Sequence, residues 1–308
     1  MKHVLWSLVF FAFVGLSGCV TGSSATSNAA IKDVPFAART TGEPRKRIMV
    51  LPFLDTGDSR SAEMLEQVRL ALLRGLKQSD QFVLMSPSDL PKDVVQFKGP
   101  DGYNMSELAP MAQAVGAVAL VEVKVVDVKA RRIGDQVGLF RDIKARVDGS
   151  LRFRIYSPKS NRELVNDLKS ATIESTTTRF AENSQSDRML QDDPKLTEEV
   201  LVKAVQNIIP VIQATARKLS WEGRIAMVSG DRIFLNAGRL SGLQVGDILK
   251  VMDAGEEVFD PDTGDLIGRA PGRVKGTVEL VSYFGKDGAI AIVHSGAGFK
   301  ETDQVELY

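Results

Sequence analysis

The chain has 308 residues, 44% of them hydrophobic, with 39 basic and 39 acidic side chains and a formal net charge of zero. That length allows two domains and that apolar fraction fills their cores, while the charge balance argues against a nucleic-acid partner. A single cysteine, Cys19, excludes an intrachain disulfide framework and a cysteine metal cluster, and His3 and His294 are the only histidines for acid–base or metal work.

In chain order the first element is a basic start at Lys2 and His3, then an apolar run from Val4 to Val14. It ends in the small-residue stretch Leu16-Ser17-Gly18-Cys19, which reads as a secretory signal peptide. The run is well short of the roughly 20 apolar residues that a membrane-spanning helix needs. The stretch resembles the lipobox of bacterial lipoproteins: an apolar residue, two small residues, then cysteine. That resemblance implies signal-peptidase cleavage between Gly18 and Cys19, loss of residues 1–18, and lipid attachment to the sulfur and amine of Cys19, with palmitate among the acyl chains. Val20 and Thr21 follow the cysteine where aspartate would favour inner-membrane retention, so the resemblance implies an outer-membrane anchor on the periplasmic face. The mature chain keeps 38 basic residues (39 − 1) against 39 acidic ones.

Residues 19–45 are rich in Ser, Thr, Ala, Asn and Gly and bury too little surface to offset ordering, which predicts a flexible tether. The body then opens on the apolar run Arg47-Ile48-Met49-Val50-Leu51-Pro52-Phe53, a strand. Leu65, Val68, Leu72 and Leu76 share one face of a helix. Phe82–Leu84 reads as a short strand, and Asn104 with Glu107 as the capping pair of a second helix that turns Leu108, Ala112 and Val115 inward. From Ala117 to Val128 the apolar alternation slips phase at Val126, which predicts a bulge or bend near Val125. Val147–Tyr156 alternates cleanly, and a further strand runs through Leu164 to Thr178. The polar stretch from Phe180 to Asp193 reads as an exposed loop. Asp193 before Pro194 starts a helix that Pro210 kinks or breaks.

Residues 46–219 therefore read as an α/β domain. Residues 220–308 have a different texture, since 14 of the 26 glycines fall from 221 onward and short apolar runs recur between turn signals. That pattern predicts a small all-β barrel, so the fold class is α+β.

The RIMVLPF opening and the element order of the first domain resemble the periplasmic α/β domain shared by the TolB amino-terminal domain, the curli secretion lipoprotein CsgG and the FlgT middle domain. Gly223-Arg224-Ile225, Asn236-Ala237-Gly238, Gly242-Leu243-Gln244-Val245-Gly246-Asp247 and the stretch from Asp260 to Gly268 are similar to the FlgT carboxy-terminal, SH3-like barrel domain. The chain differs from FlgT in carrying a lipobox and in having little room for that family's amino-terminal domain. The pairing implies a non-enzymatic outer-membrane lipoprotein that acts as an assembly or scaffold component, in a flagellar basal-body ring or a related secretion apparatus. Its partners would be the outer membrane, periplasmic envelope proteins and further copies of itself, with no nucleic acid and no cofactor. The alternative is a regulatory lipoprotein that activates a peptidoglycan synthase.

No candidate chemistry outweighs a structural account. Asp260, Asp262 and Asp265 around Gly264 lack the bidentate glutamate that closes a calcium loop, and a hairpin turn explains them better. Gly242–Asp247 has no lysine followed by Ser or Thr and reads as a wide turn. His294 has no visible acid or nucleophile partner. Catalytic and metal residues are therefore expected to be none. Between Lys124 and Arg154 there are nine basic and four acidic residues, whereas residues 221–308 hold nine basic and fourteen acidic, an asymmetry that suits an acidic partner or head-to-tail subunits. Arg131, Arg132, Asp135, Arg141, Asp142 and Lys144 crowd this hairpin and argue against a membrane pore.

Overall fold

The computed structural model describes residues 42–57, 59–134, 142–178, 193–253, 255–264, 266–270 and 272–308. The signal peptide, Gly18 and Cys19, nearly all of the expected tether, most of the polar stretch after Phe180, and Asp135, Arg141 and Asp265 lie outside the described residues.

Six strands form one mixed sheet: β1 (Lys46–Val50), β2 (Leu54–Asp55), β3 (Phe82–Met85), β4 (Ala119–Gly134), β5 (Asp142–Ser157) and β6 (Arg162–Thr178). Their order is β3-β1-β4-β5-β6, with β2 also pairing with β4. Strand β1 runs parallel to both β3 and β4, while β4, β5 and β6 are antiparallel. Parallel neighbours need crossovers, and helices α1 (Ala62–Gln78) and α2 (Met105–Ala114) supply them.

The two helices cover opposite faces, which is why the opening run carries no polar alternation. Ile48 and Val50 pack with Val68, Leu72 and Leu76 of α1, while Met49 and Leu51 pack with Leu108, Ala109 and Ala112 of α2. Each of the larger side chains contributes about 1.5–3 kcal/mol by burial. Helix α1 starts where the Ser61 side chain accepts the Met64 N–H at 3.2 Å. The expected cap of α2 takes another form. Asn104 sits at ψ 88°, makes no side-chain bond to the backbone, and donates its amide to Glu107 Oε1 at 2.6 Å.

The predicted slip in β4 is a bulge: Val125 pairs with Leu151 and Asp127 with Ser150, leaving Val126 extra and outward. Strands β4 and β5 run several residues further than their large apolar residues indicate, as an arm on which Ala130 and Val147 are buried and Arg131 is exposed. Small inward residues hide the period there. Helix α3 (Pro194–Gln206) lies across β5 and β6, capped by Asp193, which accepts from Lys195 N at 2.9 Å and Leu196 N at 3.3 Å. It approaches so closely that a Cβ on Gly149 would meet Val200 Cγ1 at 2.9 Å. The pattern breaks before Pro210, and α4 (Ile209–Arg217) follows.

The remaining strands are β7 (Gly223–Ser229), β8 (Arg232–Leu235), β9 (Ile248–Met252), β10 (Glu257–Phe259), β11 (Leu266–Arg269), β12 (Val274–Phe284), β13 (Gly288–Gly296) and β14 (Gln304–Leu307). Six of them close a barrel in the order β12-β13-β8-β7-β14-β9, and β10 with β11 forms a separate two-stranded sheet. Ile225, Ile233, Leu235, Leu249, Val251, Val278, Leu280 and Val305 fill the barrel core. Sheet, helices and barrel fall within one compact unit, giving an α+β fold. Among the described residues, no helix is long and apolar enough to cross a membrane.

Candidate functional site

The sheet and the barrel meet at a polar junction built from both ends of the chain. Pro44 is buried and the Arg45 N–H donates to Ser241 O at 2.9 Å, so packing begins ahead of β1. Arg47 on β1 reaches the turns at Asn236, Ser241 and Asp287 of the barrel. Its guanidinium lies 3.0 Å from Asp287 Oδ2 and 3.3 Å from Ser241 Oγ, and also donates to Asn236 O. Asp287 further accepts from Gly238 N at 2.9 Å, Ser241 N at 3.1 Å and Ser241 Oγ at 2.6 Å. Arg47 is buried and Asp287 mostly so, at 6% and 14% side-chain exposure, and each charge depends on the other. Gly116, at φ +88°, makes room, since a Cβ there would lie 2.9 Å from Arg47 Nη1.

A second bridge comes from the β5–β6 turn. Lys159 pairs with Glu222 and, at 3.2 Å, with Glu306, which also lies 3.5 Å from Lys250. Burial works against the charged Lys159, but Glu222 and then Glu306 outweigh it and hold its pKa above the ordinary lysine value. Beside this bridge is a cleft of about 280 Å³ lined by Gln113, Ser157, Arg162, Lys218, Ser220 and Arg224. Gln113 is 8% exposed, and its Nε2 has no partner among the described residues. The cleft offers donors and positive charge, a surface for polar or anionic groups.

Two more buried carboxylates act as fasteners. Glu122 on β4 takes two of the three Arg154 nitrogens, Nε at 2.7 Å and Nη2 at 2.6 Å, and the Tyr103 N–H at 2.6 Å, tying the loop before α2 to the ladder. Burial and then the Glu122 charge push the Tyr103 hydroxyl up to about 12. Asp55 accepts from Ser59 N at 2.9 Å and Arg60 N at 3.0 Å and pairs with the Arg60 guanidinium. Burial would raise its pKa, but the Arg60 and Ser59 bonds outweigh that and hold the carboxyl below the usual range.

The broad surface is the outer face of the β4–β6 arm, opposite α3. Register pairing lays down rows across it: Lys124, Arg152 and Leu168, then Lys129, Asp148 and Thr172, then Arg131, Arg146 and Glu174. Two of these rows set like charges directly opposite, an arrangement that costs stability by itself. Asp148 lies 3.3 Å from both Arg131 and Arg146, and the Thr172 hydroxyl, ahead of Arg146, holds its carboxyl below the usual range. Arg131 stays 71% exposed.

The candidates from the sequence find structural places. Asp260 accepts from Asp262 N at 2.8 Å and Thr263 N at 3.0 Å, and Gly264 takes φ +74°, which makes the hairpin turn of β10–β11. In the Gly242–Asp247 turn both Gly242 and Gly246 have positive φ, and Asp247 accepts from Gln244 N at 2.8 Å. His294 lies exposed on β13. Among the described residues, no three His, Cys, Asp or Glu side chains group as metal ligands would. The sequence reading missed Arg47 with Asp287, Glu122 with Arg154, and Lys159 with its two glutamates. The only signal was charge inside apolar patterns, at Arg47 and Glu122.

No protein-family model matches the chain. No curated protein matches it either. Among solved structures it is similar to the hypothetical protein CT253 from Chlamydia trachomatis, at 16% identity and TM-score 0.36 over 56% of this chain and 97% of that one. It is also similar to lipoprotein GNA1162 from Neisseria meningitidis, at 18% identity and TM-score 0.28 over 54% of this chain and 99% of that one. A third is the LpoB C-terminal domain from Salmonella enterica, at 14% identity and TM-score 0.26 over 46% and 87%. These neighbours include bacterial lipoproteins, and at such scores the likeness carries nothing about activity.

Proposed function

We propose that the chain is a non-enzymatic lipoprotein, held on the periplasmic face of the outer membrane through Cys19, whose body serves as an assembly or scaffold component of an envelope machine. The observation that carries this reading is Leu16-Ser17-Gly18-Cys19, a lipobox holding the only cysteine of the chain at the end of an apolar run. The body supports it. The carboxylates of Asp55, Glu122 and Asp287 are engaged by arginines and backbone N–H groups, and that of Asp303 by Lys275 and the Lys300 N–H, in fastening loops and layers. Among the described residues these groups serve packing, and none is a nucleophile poised beside a base. The sequence resemblance to FlgT and CsgG favours a flagellar basal-body ring or a related secretion apparatus as the machine.

The test is a pull-down with the full-length lipidated protein from membranes. Ring or secretion proteins in the eluate support the scaffold. Recovery of a peptidoglycan synthase alone would replace it with the regulatory reading.

A further inference from the structure

The β10–β11 hairpin stands apart from the barrel ladder and buries little of its own apolar surface. Val258 is 42% exposed, Phe259 53% and Ile267 64%. An isolated two-stranded hairpin is marginal in water, and three large apolar side chains left on it mark a contact surface. Its charge is mostly negative: residues 256–269 contain Glu256, Glu257, Asp260, Asp262 and Asp265 against one basic residue, Arg269, which pairs in register with Glu257.

The outer face of the β4–β6 arm has the matching composition. Lys129, Arg131 and Arg146 are 65%, 71% and 43% exposed, and the apolar Leu168 and Val126, at 53% and 40%, lie exposed on the same arm. Lys124, Lys129, Arg131, Arg146 and Arg152 share this face with Asp127, Asp148 and Glu174; Lys129 lies 2.7 Å from Asp127, and Arg131 and Arg146 lie 3.3 Å from the one Asp148, which leaves two positive charges in excess. Both surfaces remain exposed in the single chain, so neither satisfies the other within it.

We infer that the β10–β11 hairpin of one copy docks on the outer face of the β4–β6 arm of a second copy, Phe259 and Ile267 meeting Leu168 and Val126 while the hairpin acids face Arg131, Arg146 and Lys129. Two different patches make the contact heterologous, so each added copy exposes a fresh hairpin and a fresh arm. Such contacts propagate head to tail and close into a ring when the rotation between copies allows. This inference deepens the scaffold reading and rests on it for its biological setting.

The test places the photoreactive residue p-benzoylphenylalanine at Phe259 in the full-length lipidated chain and irradiates isolated membranes. The expected result is a covalent dimer whose cross-linked peptide comes from residues 124–174 of the second copy. Arg131→Glu lowers the yield about tenfold, and adding Asp262→Arg restores it. Circular dichroism confirms that both variants are folded. No dimer, a cross-link only to a different protein, or a dimer joined outside residues 124–174 would each overturn the inference. If no dimer forms while envelope proteins still co-purify, the self-contact falls and the scaffold reading stands.

Discussion

Arg47 Nη2 lies 3.0 Å from Asp287 Oδ2, so strand β1 of the sheet grips the β12–β13 turn of the barrel across 240 residues of sequence. Removing one member of a buried pair leaves the other charge without compensation and costs about 3–5 kcal/mol. Asp287→Ala is therefore expected to lower unfolding stability by that amount in urea titration of the full chain. The double variant Arg47→Met, Asp287→Leu should recover only the part due to the unpaired Arg47 charge, because the Gly238 and Ser241 N–H groups stay without their acceptor. A single-variant cost below about 1 kcal/mol would mean that the junction does not couple the two layers.

Glu122 fastens the loop before α2 through Arg154 and the Tyr103 N–H. Glu122→Ala is expected to remove exchange protection from the Tyr103 amide while amides in the barrel strands keep theirs, read by hydrogen exchange. Gly102 must stay small here, because a Cβ would lie 2.7 Å from the Glu122 carboxylate. Unchanged protection at Tyr103 would contradict the clamp.

Asp55 makes stability depend on acid pH. Its folded pKa is depressed by its bonds to Arg60 and Ser59, so its contribution is fully present above the unfolded value of about 3.9 and is lost as pH falls through the folded value. Asp55→Asn should be less stable than the parent near neutrality, and the two curves should converge as pH falls below the unfolded value. Curves offset equally at all pH would show that the carboxylate's charge plays no part.

Gly149 sits where α3 crosses β5, and a Cβ there would press on Val200 Cγ1 at 2.9 Å. Gly149→Ala is expected to cost about 1–3 kcal/mol by overpacking, and Gly149→Ala with Val200→Ala should regain part of it. Thermal unfolding of the three variants against the parent checks this.

Local pattern was legible and long-range polar pairing was not. The Val68, Leu72 and Leu76 stripe, the bulge at Val126, the Asp193-Pro194 helix start and the break at Pro210 each follow from neighbours a few residues apart. The outer part of the arm was missed because Ala130 is too small to mark an inward position among Lys129, Arg131 and Arg132. Asn104 and Glu107 were read correctly as partners and wrongly as a backbone cap, because either geometry suits the same spacing. Asp287 lies in a glycine turn between two short apolar runs, and nothing near it in sequence points to Arg47. The cleft at Gln113 is invisible for the same reason, since its walls come from α2, the β5–β6 turn and the segment leading into β7.

The central claim is that a lipid on Cys19 anchors this body to the envelope. The most direct measurement is mass spectrometry of the amino-terminal peptide of the membrane-fraction protein, with Cys19→Ser fractionated in parallel. The account predicts a peptide that begins at Cys19 and carries acyl chains, and a Cys19→Ser protein lost from the membrane fraction. An unmodified Cys19, or a Cys19→Ser protein retained as fully as the parent, would contradict it.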